Sequence, residues 1–348
     1  MPTSLNLEVV DVPTPLDLYS LRHVEALLSR SRIELGDLSE HAVRYYDPFP
    51  LREKERPFAR RSTPAKKRFI DNPIDPLKSI QSRIDDRILK RVILPRHLLG
   101  GVKGVGIIDN AKLHLQAGYL ATIYIKNFYP SITPHQIRNV WRRTLNCSPN
   151  VAYLLTGLTT YRGRLPQGAP TSTLLANLVL SSFDAQIRRV CKLNGIRYTS
   201  WVDDLAFSGN SAEQIVGPVI AVLRNAGFKV SHRKIRVMGP GQRKILNNLV
   251  LGRFITVQKQ YLSRIRAGIH NLQCGKAATF ELKDYVQRLE GNIGYLRLFD
   301  PKKAARFAEQ LKRAREMVAQ RSLVGCAADC PGDLSTNLLH FEGFGKER

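Results

Sequence analysis

The sequence predicts an α+β protein, and three patterns carry that prediction. Residues 119–126 alternate, with Ala121, Ile123 and Ile125 on one face and Thr122, Tyr124 and Lys126 on the other, the period of a strand. Residues 198–209 set two β-prone runs around the acidic pair Asp203-Asp204, the composition of a hairpin. Helical periodicity surrounds both, over 76–94, over 170–192 and from 262 to about 318.

In chain order, residues 16–38 read as one or two amphipathic helices. Residues 44–66 are basic and punctuated by Pro, and predict loop and short strand. Pro76 opens a helix through Leu94, with Ile80, Ile84, Ile88 and Val92 at four-residue spacing. Residues 99–109 are a Gly-rich loop, and Asn110 is placed to cap the next helix. Residues 134–144 predict a helix, and 170–192 a long, mostly buried one with little charge before Asp184. Residues 211–226 are helical, 229–238 mostly extended, and 246–261 two strands around a turn. The tail after Gly325 reads as loose.

A chain of 348 residues, 43% hydrophobic and 24% charged, can bury a sizeable core, which excludes global disorder. Lys and Arg number 54 against 29 acids, a net charge of +25. Residues 1–40 carry −4 and 326–348 carry −2, so the middle holds +31. That excess calls for a polyanionic partner, and nucleic acid fits best. No run approaches the roughly 18 apolar residues of a spanning helix, so no membrane partner is expected. The first twenty residues lack the basic and apolar regions of a signal peptide, and five scattered cysteines suit a reduced cytoplasmic setting. Cys326 and Cys330 have no second pair nearby, which argues against zinc. The 99–109 segment lacks the GK[ST] ending of a P-loop, which argues against nucleotide hydrolysis.

Two constellations could carry chemistry. Asp203 and Asp204 sit between Trp201-Val202 and Leu205-Ala206-Phe207, where repulsion and desolvation both penalise paired carboxylates. A hard divalent cation, usually Mg2+, relieves both penalties, whereas a plain exposed turn would not need aromatic flanks. Leu165-Pro166-Gln167-Gly168-Ala169-Pro170-Thr171-Ser172 is a rigid loop entering a helix.

Taken in order, these segments resemble a bacterial reverse transcriptase, most closely the retron type. Lys66-Lys67-Arg68-Phe69-Ile70 with Asn72-Pro73 resembles the first fingers motif, which implies that Lys66 and Arg68 approach the incoming triphosphate. Leu77-Lys78-Ser79-Ile80-Gln81 resembles the helix that follows. Asn110-Ala111-Lys112-Leu113-His114 matches the NAxxH signature of retron enzymes and implies an RNA-binding role for Asn110 and His114; their four-residue spacing equally suits capping and packing. Residues 125–132 resemble motif A after its Asp, with Tyr129 as the gate against ribose. Residues 165–172 resemble motif B, with Gln167 near the nascent pair. Residues 201–204 resemble the YxDD box, with Asp203 and Asp204 as catalytic metal ligands. Residues 227–234 resemble motif D, which ends on Lys234, and 262–312 resemble a thumb.

The resemblance implies a right-hand polymerase. Its parts would be an N-terminal extension (1–60), fingers (61–115), a palm with a small antiparallel sheet (116–255, with fingers elements near 133–165), a helical thumb (256–320) and a tail (321–348). It also implies two Mg2+ ions, dNTPs, an RNA/DNA hybrid, a structured noncoding RNA, phage defence and a possible co-encoded effector protein. Three departures stand out. The family's first catalytic Asp falls on Tyr124, and between Asp109 and Asp203 the only acid is Asp184. A phenol is neutral at pH 7 and a poor Mg2+ ligand, so a second ion is doubtful. Leu246-Asn247-Asn248 replaces the VTG triplet, and Trp201 and Thr173 replace the usual Tyr and Pro. Three functions follow: a polymerase impaired at its metal site, a scaffold that binds RNA without polymerising, or an active enzyme carrying a sporadic Asp-to-Tyr change.

Overall fold

Short helices open the computed structural model, which describes residues 13–51, 69–274 and 282–328, with side chains as far as residue 320. Helix α1 (Leu21–Leu28) buries Val24 and Leu28. Helix α2 (Arg32–Glu40) opens on a capping box, in which Ser31 and Glu34 satisfy each other's backbone N–H groups. Strands β1 (Phe49–Pro50) and β2 (Phe69–Ile70) pair antiparallel. Helix α3 (Leu77–Arg87) buries Ile80 and Ile84, as its spacing predicts, but gives way to a 3-10 turn at Leu89–Arg91. The predicted run to Leu94 is cut short, since Val92 after this turn is already extended, ψ 120°.

Next come α4 (Ile107–Leu113), β3 (Tyr119–Tyr124), α5 (Phe128–Ser131) and α6 (Pro134–Asn139), which runs on into a π-helical segment, Val140–Thr144, around the fully buried Trp141. Helix α7 (Pro149–Thr159) is capped by Ser148 and has Pro at its first turn. The single helix predicted over 170–192 is two, α8 (Ser172–Ser181) and α9 (Ala185–Leu193). The break falls at Asp184, which turns inward with no exposed surface and bonds Arg188 at 3.1 Å and His97 at 2.5 Å.

Strands β4 (Arg197–Trp201) and β5 (Asp204–Gly209) form the predicted hairpin. Helix α10 (Val216–Asn225) follows. The stretch predicted as extended contains a 3-10 turn, His232–Lys234, before β6 (Arg236–Met238). The main sheet is antiparallel with order β4-β5-β3-β6, and helices cover it to form a core that includes Ile123, Leu178, Phe207 and Leu223. A three-stranded sheet, β7 (Lys244–Leu246), β8 (Leu249–Leu251) and β9 (Ile255–Val257), begins one strand earlier than predicted.

The chain divides into two units, one running to Asn247 with Leu251–Arg253, the other comprising Asn248–Val250 and the chain from Phe254. In the second, α11 (Lys259–Gln273), α12 (Leu282–Arg297) and α13 (Pro301–Ala328) pack around Ile265, Ile269, Leu289, Ile293, Phe307 and Leu311. Among the described residues no helix is long and apolar enough to cross a membrane. Cys147, Cys191 and Cys274 are free thiols; Cys330 lies outside the described residues, as does the side chain of Cys326.

Within the NAKLH segment Asn110 and His114 are buried while Lys112 and Leu113 are exposed, and one expectation, the cap, is corrected. Gly106, not Asn110, caps α4, and Asn110 and His114 have no exposed surface. Thr199 Oγ1 donates to Asn110 Oδ1 at 2.7 Å, so its lone pairs are what His114 Nε2–H meets, also at 2.7 Å. His114 Nδ1 then accepts from Ser208 Oγ at 2.7 Å. The imidazole is neutral, held by burial at a pKa of about 4. Both side chains spend their hydrogen bonds on the β4–β5 hairpin and on Asn247.

Two stability predictions follow. Helices α2 and α7 meet where a Cβ on Gly157 would lie 1.9 Å from Ser39 Oγ. Gly157→Ala should cost about 1–3 kcal/mol in urea unfolding through overpacking, and less in a Ser39→Ala background. Because folded His114 resists the proton that its unfolded form accepts near pH 6.5, its contribution is complete above that pH and is lost as pH falls toward 4. The loss should be on the order of 3 kcal/mol, and His114→Gln should flatten the fall in stability between pH 7 and 4.5. An unchanged slope would rule out this role for the imidazole.

Candidate active site at the acidic turn

Hairpin register builds the site. Trp201 and Tyr124 both lie opposite Asp204, one on each neighbouring strand, so Val202 and Asp203 form a two-residue turn at the hairpin's end. Val202 takes a left-handed conformation, φ 59°, which a β-branched residue adopts only under constraint. A two-residue hairpin turn calls for positive φ at its first residue, and the 99–109 loop packs onto it. A Cβ on Gly100 would lie 2.5 Å from Val202 Cγ2 and 2.6 Å from its backbone nitrogen, so only glycine lets the loop pack there. Leu99 N–H donates to the Ser200 carbonyl at 2.9 Å, and Asn177 Nδ2 donates to the Gly100 carbonyl at 2.7 Å. The Gly-rich segment is thus a support for the acidic turn.

The two carboxylates are partly buried. Burial, then the neighbouring Asp203, pushes the Asp204 carboxyl up to about 6, while Lys234 and Arg236 pull it down. Asn247 Nδ2 approaches Asp204 Oδ2 at 3.4 Å and its Oδ1 accepts from Asn110 at 2.7 Å, so the buried α4 network ends on the acidic site. Asn247 and Asn248 both have left-handed backbones, φ 46° and 66°, which is what Asn supplies in a tight hairpin turn. The triplet that departs from the retron pattern therefore has its own physical role.

Tyr124 lies directly across from Asp204, where the strand alternation placed it. Lys234 Nζ sits 3.4 Å from the centre of the Tyr124 ring, within cation–π range. The 3-10 turn carrying Lys234 is held against β3 by Ser231 N–H donating to the Tyr124 carbonyl at 2.9 Å and Lys126 N–H donating to the Lys229 carbonyl at 2.7 Å. Tyr129 contacts Thr173 Oγ1 through its hydroxyl at 3.2 Å, and burial, with help from Asp203, raises its phenol above the ordinary range.

Gln167 is fixed through its backbone. Its N–H donates to Asp71 Oδ2 at 3.1 Å, and its carbonyl accepts from Asp71 N–H at 2.9 Å. Asp71 is buried and also takes Arg164 Nη2 at 2.8 Å. This acid ties β2 to the Gln167 loop, and sequence reading missed it because a lone Asp after a basic run carries no local pattern. Lys66 and Arg68 lie outside the described residues.

Metal binding can be tested against the donors present. Mg2+ takes six oxygens and is commonly held by one or two carboxylates, with water and phosphate completing the shell. Asp203 and Asp204 fit one such ion. Among the described residues no group of three or more His, Cys, Asp or Glu could hold a metal, and the side chain facing Asp204 is a phenol under an ammonium. The site does not fit two ions joined by a bridging carboxylate.

The reverse transcriptase (RNA-dependent DNA polymerase) family matches residues 54–262. The chain is similar to the retron Ec86 reverse transcriptase of Escherichia coli, 26% identical over 260 residues that cover 74% of this chain and 79% of that one. It is similar to the retron Mx162 reverse transcriptase of Myxococcus xanthus, 27% identical over 70% of this chain and 58% of that one. A shorter match, to the retron Ec83 reverse transcriptase of Escherichia coli, reaches 32% over 52% of this chain and 58% of that one. With more than half of its length matched by the family, and with relatives of the retron type, the chain belongs to the reverse transcriptases, the RNA-directed DNA polymerases.

Proposed function

We propose that the chain binds a structured noncoding RNA and is built to extend a primer on it, and that Tyr124 leaves synthesis very slow or absent. The fingers, palm and thumb divisions of the sequence reading belong to this proposal, as do phage defence and a co-encoded effector. The reaction is in-line attack of a primer 3′-hydroxyl on the α-phosphorus of a dNTP: the new O–P bond forms as the bond to pyrophosphate breaks. Lys66 and Arg68 would meet the triphosphate, Tyr129 would contact the sugar, and Gln167, fixed by Asp71, would lie beside the new pair. Asp203 and Asp204 would hold a divalent cation, which supplies charge stabilisation at the reacting oxygens when bound. Asn110 and His114 act inside the core rather than on the RNA.

The observation that carries this reading is the pairing of Tyr124 with Asp204 in the register. It puts a neutral ring where the family resemblance implies a bridging carboxylate. Losing that stabilisation costs several kcal/mol, and each ~1.4 kcal/mol is tenfold in rate. Primer extension with Mg2+ or Mn2+ on an RNA template should therefore be about a hundredfold or more faster for Tyr124→Asp than for the unaltered chain. Robust synthesis by the unaltered chain that disappears in Asp203→Ala would overturn the impairment. Silence from both chains would favour an RNA-binding scaffold that has lost polymerisation, a reading supported by the ammonium lodged over Tyr124.

The +31 carried by residues 41–325 supports a nucleic-acid footprint. Binding to structured RNA should weaken steeply with salt, and reversing several basic residues of α11–α13 should lower both the affinity and the slope of log K against log salt. A protein that binds no RNA at low salt would refute the RNA reading.

A further inference from the structure

Asp204 shares one face of the main sheet with a set of residues that the acidic motif alone does not explain. Directly paired residues in an antiparallel sheet project to the same side. Tyr124 pairs with Asp204, Thr122 with Ala206, and Thr122 with Arg236, so Tyr124, Asp204 and Arg236 project together. Lys234 joins them from the turn before β6, its ammonium 3.4 Å from the Tyr124 ring centre. That position is not a chance reach of a long side chain. The turn is fastened to β3 by the Ser231–Tyr124 and Lys126–Lys229 backbone bonds and closed by Lys234 N–H donating to the Ser231 carbonyl at 2.8 Å.

An ammonium stacked on the residue opposite a carboxylate is a cation at the door of that carboxylate. We propose that Lys234, held by the Tyr124 ring, is the resident cation of the acidic turn and competes with a divalent metal for Asp203 and Asp204. Tyr124 then alters the site twice: it removes an acid and it stations a positive charge where the metal would come. A carboxylate at 124 would instead add a negative charge and offer no ring to hold the ammonium. The inference rests on the reading of Asp203 and Asp204 as the metal-binding acids, and the test separates the two.

The measurement is Mn2+ binding to the full chain, read from the loss of the free-ion electron paramagnetic resonance signal, without nucleotide or RNA. The unaltered chain should bind Mn2+ weakly, and Lys234→Gln should bind it about tenfold more tightly, since one like charge leaves the site. Lys234→Arg keeps the charge and should stay weak. Lys192→Gln, on the exposed side of α9, changes net charge equally and should also stay weak. Asp203→Asn should abolish binding. No tightening in Lys234→Gln, or equal tightening in Lys192→Gln, overturns the competition while leaving the acids as ligands. If Asp203→Asn binds Mn2+ as well as the unaltered chain, the acids are not the site and both readings fall.

Discussion

Two adjacent carboxylates on a tight turn repel each other and lose hydration, and the first unit is organised around holding them there. The β4–β5 register puts the turn at the end of the hairpin, and β3 closes its open side. Gly100 packs closely against Val202, which the two-residue turn holds in a left-handed conformation. Asn177 fixes Gly100, and Asn247 links Asp204 to the buried Asn110–Thr199–His114 chain. Each support is a backbone approach or a neutral hydrogen bond, so none of them adds a charge to the core.

That pattern explains what could be read from the sequence. The strand at 119–124 and the hairpin around Asp203 follow from period-two alternation, which local sequence displays directly. The side of Tyr124 was readable for the same reason. The division of 170–192 was not, because Asp184 interrupts an apolar run in order to meet His97, 87 residues earlier in the chain. Long-range partners leave no periodic trace. The same holds for Asp71 with Gln167 and for Gly100 with Val202.

Asn110 and His114 show a subtler failure. Their spacing on one helix face was correct, but spacing does not say whether a face meets solvent or core. Only the packing of α4 against β4 shows that the face is spent on Thr199 and Ser208. The same network reaches the acidic turn through Asn247.

Charge gives the last step. On the proposed reading of Asp203 and Asp204 as metal ligands, the turn must stay net negative within a protein whose middle carries +31 to draw a cation in. Three carboxylates near one lysine would satisfy that condition. Here burial and the neighbouring Asp203 push the Asp204 carboxyl up against the downward pull of Lys234 and Arg236. Burial and Asp203 still hold that carboxyl at about 6, so these cations relieve only part of the repulsion. On that same proposed reading, what steadies the turn and what would draw a metal to it are opposed, and the residue at 124, paired with Asp204 and stacked under Lys234, enters both.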